Sequence, residues 1–181
     1  MPKTPGERLK YLVLIVISLS ILLSILIYVY NIPGRPIFGD SLGVDAGSRA
    51  RDFNFMDIDG NNYSLSDFEG SIVILEFSAV WCPACRRQKG VFKAIYDEYR
   101  DYITIITIDI DAPLDVLREY RSSLGIEWII ASGGDIASIY EVYVLPTIIV
   151  IDESGYIVYR GDGFTEYETL KDILDKIIGG S

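Results

Sequence analysis

The longest uninterrupted hydrophobic run, Leu12 to Tyr30, reads LVLIVISLSILLSILIYVY and holds no charge, proline or glycine. At about 1.5 Å per residue such a run crosses a hydrocarbon core of about 30 Å as a helix. None of its faces is polar, unlike the amphipathic helix of a soluble domain. Lys3, Arg8 and Lys10 precede it against the single acid Glu7. Basic flanks stay in the cytoplasm, so residues 1–11 are expected inside and the rest of the chain outside, with Tyr28 and Tyr30 at the outer interface. A cleaved signal peptide would carry an apolar region of about 7–15 residues ending at a small-x-small site. This run is longer and leads into Tyr-Val-Tyr-Asn-Ile-Pro, so an uncleaved anchor over 12–30 is the expectation. Residues 31–48 hold Pro33, Pro36 and several glycines without periodicity and read as a linker.

From Arg49 to the end, 49–181, the pattern is that of a packed domain. Phe53 to Ile58 and Tyr63 to Leu65 flank Asp59-Gly60-Asn61-Asn62, which predicts a hairpin around an Asp-Gly turn. Ser66-Asp67-Phe68 can start a short helical turn. Ile72 to Phe77 (IVILEF) is a short apolar run suited to a buried strand. Pro83 to Tyr99 is helical in pattern, with Val91, Phe92, Ile95 and Tyr99 on one face. Ile103 to Ile108 is the next strand, and strand-helix-strand in this order implies a right-handed parallel crossover. Pro113 to Leu124 reads as a second helix with Pro113 in its first turn. Glu127 to Ala131 reads as a short strand and Ile136 to Tyr140 as a short helix. Thr147 to Ile151 and Tyr156 to Arg160 flank Asp152-Glu153-Ser154-Gly155, a second hairpin. Glu166 to Ile178 closes the domain as an amphipathic helix.

Composition removes several classes of function. The formal charge of −10 argues against nucleic-acid binding, which needs a basic face. There is no histidine, so His-based catalysis and His-containing metal sites are excluded. The only two cysteines, Cys82 and Cys85, sit three positions apart, too few and too close for a disulfide framework.

Those two cysteines follow a buried strand and open a helix. A helix N-terminus presents unsatisfied N–H groups and a partial positive charge, which favour a thiolate at Cys82. Cys85, one turn later, lies on the same face and can close an intramolecular disulfide. Pro83 at the first helical position has no N–H to leave unpaired. Arg86, Arg87, Lys89 and Lys93 follow with no acid until Asp97, and their field adds to the helix end, less any solvent screening. Half a zinc site is a rival reading, but no second CxxC and no histidine exist to complete it. A static structural disulfide is another, yet closing so short a loop removes little unfolded-state entropy.

Several ordered segments give the chain a family resemblance. They are Arg51-Asp52-Phe53 with Asp59-Gly60, Leu65-Ser66-Asp67-Phe68-Glu69-Gly70, Trp81-Cys82-Pro83-Ala84-Cys85, Tyr143-Val144-Leu145-Pro146-Thr147, Ile151-Asp152 with Gly155, and Gly161. From about Gly47 to Ile178 the chain resembles the TlpA/ResA-like branch of the thioredoxin superfamily, membrane-anchored thiol-disulfide oxidoreductases. The resemblance implies an α/β thioredoxin-like fold, a central mixed sheet flanked by helices with an N-terminal β-hairpin extension. It implies a cis Pro146 beside the disulfide, with Trp81, Leu145 and Pro146 meeting the substrate. It also implies that Glu76, six residues before Cys82, is a buried carboxylate that exchanges protons with Cys85. Pro83 and Ala84 stand where ordinary thioredoxins have Gly-Pro, a dipeptide that tunes the redox poise. Gln88 stands where the cytochrome c maturation reductases of this branch carry an acid, and Gly90 where thioredoxins have a helix-kinking proline.

The expected chemistry is thiol-disulfide exchange with protein thiols and disulfides, without cofactor or metal, reset by a redox partner. The reductive direction is favoured, and a disulfide-forming oxidant of the same fold is the alternative. A copper chaperone of the Sco type would need CxxxC and a histidine. A peroxiredoxin-like peroxidase would need Thr-x-x-Cys, where this chain has Ala79 three residues before Cys82.

Overall fold

The computed structural model describes residues 14–24 and 42–180. Residues 14–24 form helix α1, with Leu14, Ile15, Val16, Ile17, Leu19, Ile21, Leu22 and Leu23 all exposed. The hydroxyls of Ser18, Ser20 and Ser24 donate to carbonyls one turn back, so their polar groups are satisfied within the helix. Among the described residues no helix is long and apolar enough to cross a membrane, and the remainder of the expected span lies outside them.

The domain is built on a five-stranded sheet in the order β7-β6-β5-β8-β9. Strand β5 (Ile72–Ser78) is central and buried along all seven residues. It pairs in parallel with β6 (Ile103–Asp109), which pairs in parallel with β7 (Ile129–Ser132). On its other side β8 (Thr147–Ile151) and β9 (Ile157–Asp162) run as an antiparallel pair. Helices α2 (Pro83–Tyr99) and α3 (Leu114–Leu124) are the two parallel crossovers; α4 (Gly134–Ile139) precedes β8, and α5 (Tyr167–Gly179) ends the domain.

Side chains alternate across a strand, and that parity divides the core in two. Ile72 and Ile74 of β5, Ile105 of β6, and Ile148 and Val150 of β8 pack with Phe92, Ile95, Leu117, Leu170 and Leu174 from α2, α3 and α5. Val73, Leu75 and Phe77, with Ile106, Ile108, Ile149 and Ile151, face Phe53, Phe55, Ile136 and Tyr140. Glu76 has the parity of Ile74, which puts it on the side of α2.

The first expected hairpin is present as β3 (Asn54–Met56) and β4 (Asn62–Ser64). Its turn is held by the Asp57 carboxylate, which accepts from the backbone N–H groups of Asp59 and Asn61 at 2.9 and 2.8 Å, with Gly60 at φ +93°. Ile58 N–H donates to Ile130 O at 2.9 Å, so the hairpin closes on the edge strand β7. The short 3-10 turn Leu65–Phe68 follows it.

Several element ends differ from expectation by one or two residues, and three differences have a structural reason. Pro113 caps α3 with an extended ψ of 153° instead of lying in its first turn. Strand β7 starts at Ile129, because Trp128 turns inward against Phe92 and Tyr96. Part of the expected linker belongs to the domain: β1 (Leu42–Gly43) pairs with β2 (Arg49–Ala50), Val44 is buried, and the backbones of Gly47 and Ser48 bond to Ile157 on β9.

Phe92 joins α2 to the sheet, is fully buried and meets Trp128 edge-on at 6.1 Å. Phe92→Ala is expected to cost about 3–5 kcal/mol through the lost transfer energy and the cavity left behind. Urea denaturation at unchanged m-value is the measurement, with a lowered midpoint expected.

Candidate functional site

The chain leaves β5 at Ser78, passes through the buried Ala79 and turns into α2 at Cys82. Cys82 is the N-cap, with extended backbone at φ −84° and ψ 113°. Its Sγ accepts from Cys85 N–H at 3.1 Å, while Pro83 fills the first helical position. Cys82 and Cys85 are joined as a disulfide with their Cα atoms 5.2 Å apart. The two sulfurs are not equivalent: Cys82 lines an open groove with 5% of the residue exposed, whereas Cys85 is 0% exposed and does not line it. On reduction, the sulfur that a second disulfide can reach is therefore Cys82, and it sits on the positive end of a 17-residue helix.

The groove has a volume of about 650 Å³. Trp81, Cys82 and Ala84 form one wall, and Val142, Tyr143 and Leu145 the other. Trp81 is 62% exposed, and its indole Nε1–H donates to the Asp111 carboxylate at 3.0 Å, which holds the ring at the rim. The Leu145–Pro146 bond is cis, and Leu145 packs against the small cluster of Ala79, Cys82 and Cys85. The expected contributors Trp81, Pro83, Ala84, Leu145 and Pro146 thus converge on one end of the sheet. Tyr143 was not singled out as a contact, yet it is the most exposed large hydrophobic side chain of the domain, at 89%. An exposed aromatic three residues before a cis-proline is the signal that could have found it.

Glu76 is fully buried on the α2 side of β5, as expected of a carboxylate under the active end. Its partner was not anticipated. Lys89, assigned from the sequence to the basic field of α2, is buried and forms an ion pair with Glu76 Oε2. Thr107 Oγ1 donates to the same oxygen at 2.7 Å, and Trp128 Nε1–H in turn donates to Thr107 Oγ1 at 3.1 Å. Lys89 Nζ also donates to Ser78 Oγ at 3.2 Å. Burial pushes the Lys89 ammonium below its ordinary range, and Glu76 and Asp109 oppose that push. Burial raises the Asp109 carboxyl, against backbone N–H groups of Ala112 and Asp111 that favour its ionised form. Among the described residues Glu76 Oε1 has no hydrogen-bond donor. Lys89 is one helical turn beyond Cys85 on the same buried face, so it links that face to Glu76.

The rest of the basic run also differs from a uniform field. Arg87 stacks on Phe164 at 3.3 Å and pairs with Glu166 at 3.3 Å, while Arg86 and Lys93 are exposed. Gln88 is buried and bonds both ways to Thr165: its Nε2 donates to Thr165 O at 3.1 Å and its Oε1 accepts from Thr165 N–H at 2.9 Å. A carboxylate could not donate the first of these bonds, so Gln88 ties α2 to the start of α5. Helix α2 runs without interruption through Gly90.

Breaking a buried ion pair from one side strands a charge. Lys89→Met is expected to destabilise the domain by about 3–5 kcal/mol, and Glu76→Gln combined with Lys89→Met is expected to recover most of that loss. A double-mutant cycle by urea denaturation measures both.

Comparison with known proteins agrees with this geometry. Residues 46–160 match the AhpC/TSA family. The chain is 27% identical over 174 residues to a thiol-disulfide oxidoreductase ResA of Bacillus cereus, covering 94% of this chain and 97% of that protein. It is similar to the crystal structure of the pneumococcal exposed lipoprotein thioredoxin Etrx1 of Streptococcus pneumoniae, with TM-score 0.59 and 26% identity over 70% of this chain and 99% of that one. It also shares the fold of a thioredoxin domain of a thiol-disulfide oxidoreductase from Bacteroides vulgatus, with TM-score 0.63 and 24% identity over 74% of this chain and 99% of that one. The chain belongs to the AhpC/TSA family and is a thiol-disulfide oxidoreductase on a thioredoxin-like scaffold.

Proposed function

We propose that the chain is a membrane-anchored, extracytoplasmic reductase of protein disulfides, working through Cys82 and Cys85. The observation that carries this reading is the asymmetry of the pair, with Cys82 on the groove and Cys85 enclosed behind it. In the reducing cycle the Cys82 thiolate attacks one sulfur of a substrate disulfide, forming a mixed disulfide and releasing the first substrate thiolate. Cys85 gives up its proton and attacks Cys82 Sγ. The Cys82–Cys85 bond closes, the second substrate thiolate leaves, and two electrons have passed to the substrate. A dithiol partner then reduces the pair again. No cofactor takes part.

Glu76 is the group that accepts the Cys85 proton, directly or through a water. Its burial on the α2 side of β5 supports this role, and Oε1 lies outside the pairing with Lys89 with no donor among the described residues, which leaves it an open acceptor. Trp81, Tyr143 and Leu145 are the apolar surfaces a peptide would meet, and Pro83 and Ala84 set the redox poise. Anchoring rests on the uncharged run 12–30, on its basic flank, and on the exposed apolar side chains of α1.

Insulin reduction with dithiothreitol is the first test: native chain is expected to accelerate it and Cys82→Ser to abolish the effect. Equal activity in the variant would remove Cys82 as nucleophile. Titration of the couple against glutathione gives the direction, with a potential near about −270 mV expected for a reductase and one near about −120 mV reversing the assignment. For topology, external protease acting on intact cells is expected to release the domain. Full protection of the domain in cells that remain sealed would place it inside.

A further inference from the structure

The groove wall opposite Trp81 is a short exposed segment, Val142 to Leu145, between the end of α4 and cis-Pro146. Tyr143 and Val144 are 89% and 46% exposed, so the middle of the segment gains little from side-chain packing, whereas Val142 and Leu145 pack against the core. Its upstream end is strained. Glu141 lies at φ +52°, the one non-glycine residue with positive φ among the described residues. The helix satisfies its own earlier carbonyls there: Tyr140, Glu141 and Val142 N–H groups donate to Ile136, Ser138 and Ala137. The carbonyls of Ile139, Tyr140 and Glu141 point to two arginines instead. Arg51 Nη1 donates to Ile139 O at 2.9 Å. Arg160 Nη1 donates to Tyr140 O at 2.9 Å and Nη2 to Glu141 O at 3.1 Å.

Arg160 is linked to the downstream end through Asp162. Its Nε pairs with Asp162 Oδ1 at 3.5 Å. Thr147 Oγ1 stands 3.1 Å from that same oxygen and 2.7 Å from Val144 O, a hydroxyl shared by the two acceptors. Gly163 N–H, one residue past Asp162, donates to Pro146 O at 2.7 Å. One guanidinium, 13% exposed on β9, thus holds the upstream end directly and is linked to the downstream end through Asp162 and Thr147. Only a planar fork with several N–H donors can do this; a lysine ammonium offers one point charge.

We infer that Arg160 is a positioning residue for substrate docking, fixing the Val142–Leu145 wall so that an incoming protein disulfide meets Cys82 in register. This rests on the reading that protein disulfides dock in the groove. Small disulfides need no wall, so loss of the clamp separates the two substrate classes.

The test uses the full-length chain in detergent, as native protein, Arg160→Met and Arg160→Lys. With insulin, KM is expected to rise about tenfold in Arg160→Met while kcat stays near native, a misplacement milder than one of the reacting atoms. The rate with a small aromatic disulfide is expected to stay within about twofold, since the sulfurs are untouched. Hydrogen exchange at the Tyr143, Val144 and Leu145 amides is expected to accelerate, with α2 unchanged. Arg160→Lys keeps the charge and the stem, and its KM and exchange are expected between the other two. Native exchange at the wall in Arg160→Met, or equal losses with insulin and the small disulfide, would overturn the inference. If Arg160→Met does not fold, native KM and native exchange in Arg160→Lys overturn it. Accelerated wall exchange in a chain whose native form does not turn over insulin would retain the clamp and remove the docking reading.

Discussion

A carboxylate on the central strand of a sheet, with no exposure at all, must have its charge met by the protein. In this domain the answer comes from the helix that carries the cysteines. Lys89 reaches Glu76 across the α2–β5 interface, and Thr107 on β6 donates to the same carboxylate oxygen. Such a pair bears on more than energy, because it forms only with this face of α2 turned toward β5. Cys85 and Lys89 share a face of that helix, so the rotation that seats the ammonium also buries the second sulfur and leaves the first at the groove. The hydrophobic packing of Phe92 and Ile95 drives the helix onto the sheet, and the ion pair selects how it sits.

Around this centre, hydrogen bonds from distant segments hold the loops that hydrophobic packing cannot. The active end is made of loops whose side chains are partly exposed, and such loops are held by side-chain hydrogen bonds. Asp111 holds Trp81 on one rim. On the other, Arg51 and Arg160 come from the domain's entry segment and from its last strand to hold the end of α4. Gln88 joins the start of α5 to the catalytic helix through a paired amide contact with Thr165. These ties draw on elements far apart in sequence and converge on a patch a few residues across.

Much of the fold was legible because its elements announce themselves locally. Helix α2 was read with its observed ends, since Pro83 marks the start and the apolar face runs to Tyr99. Strand β5 and both hairpins followed from apolar runs and Asp-Gly or Ser-Gly turns. The failures share a physical cause: long-range contacts decided them. Lys89 looked like a surface charge because it sits among Arg86, Arg87 and Lys93, yet it falls within the buried stripe of Cys85, Gln88, Phe92 and Ile95. A lysine inside an apolar stripe, with a glutamate of inward parity on the preceding strand, was a readable sign of a pair. Residues 42–48 looked like linker because their hydrogen bonds to β9 all use their own backbone groups, which composition does not report. The clamp of Arg160 was invisible for the same reason, since its acceptors are carbonyls.

The complete enclosure of Cys85 has a consequence for how the protein ages in an oxidising medium. Peroxide and other small oxidants act on thiolates they can touch, and successive oxidation to sulfinic and sulfonic acids is irreversible for most proteins. Of the two sulfur-bearing residues only Cys82 lines the groove. A first oxidation there yields a sulfenic acid with a buried thiol one helical turn away, and that thiol converts the lesion into the ordinary disulfide. The enclosed thiol is thereby placed to condense with such a sulfenic acid, expelling water, and the product is the same Cys82–Cys85 disulfide that the structure holds.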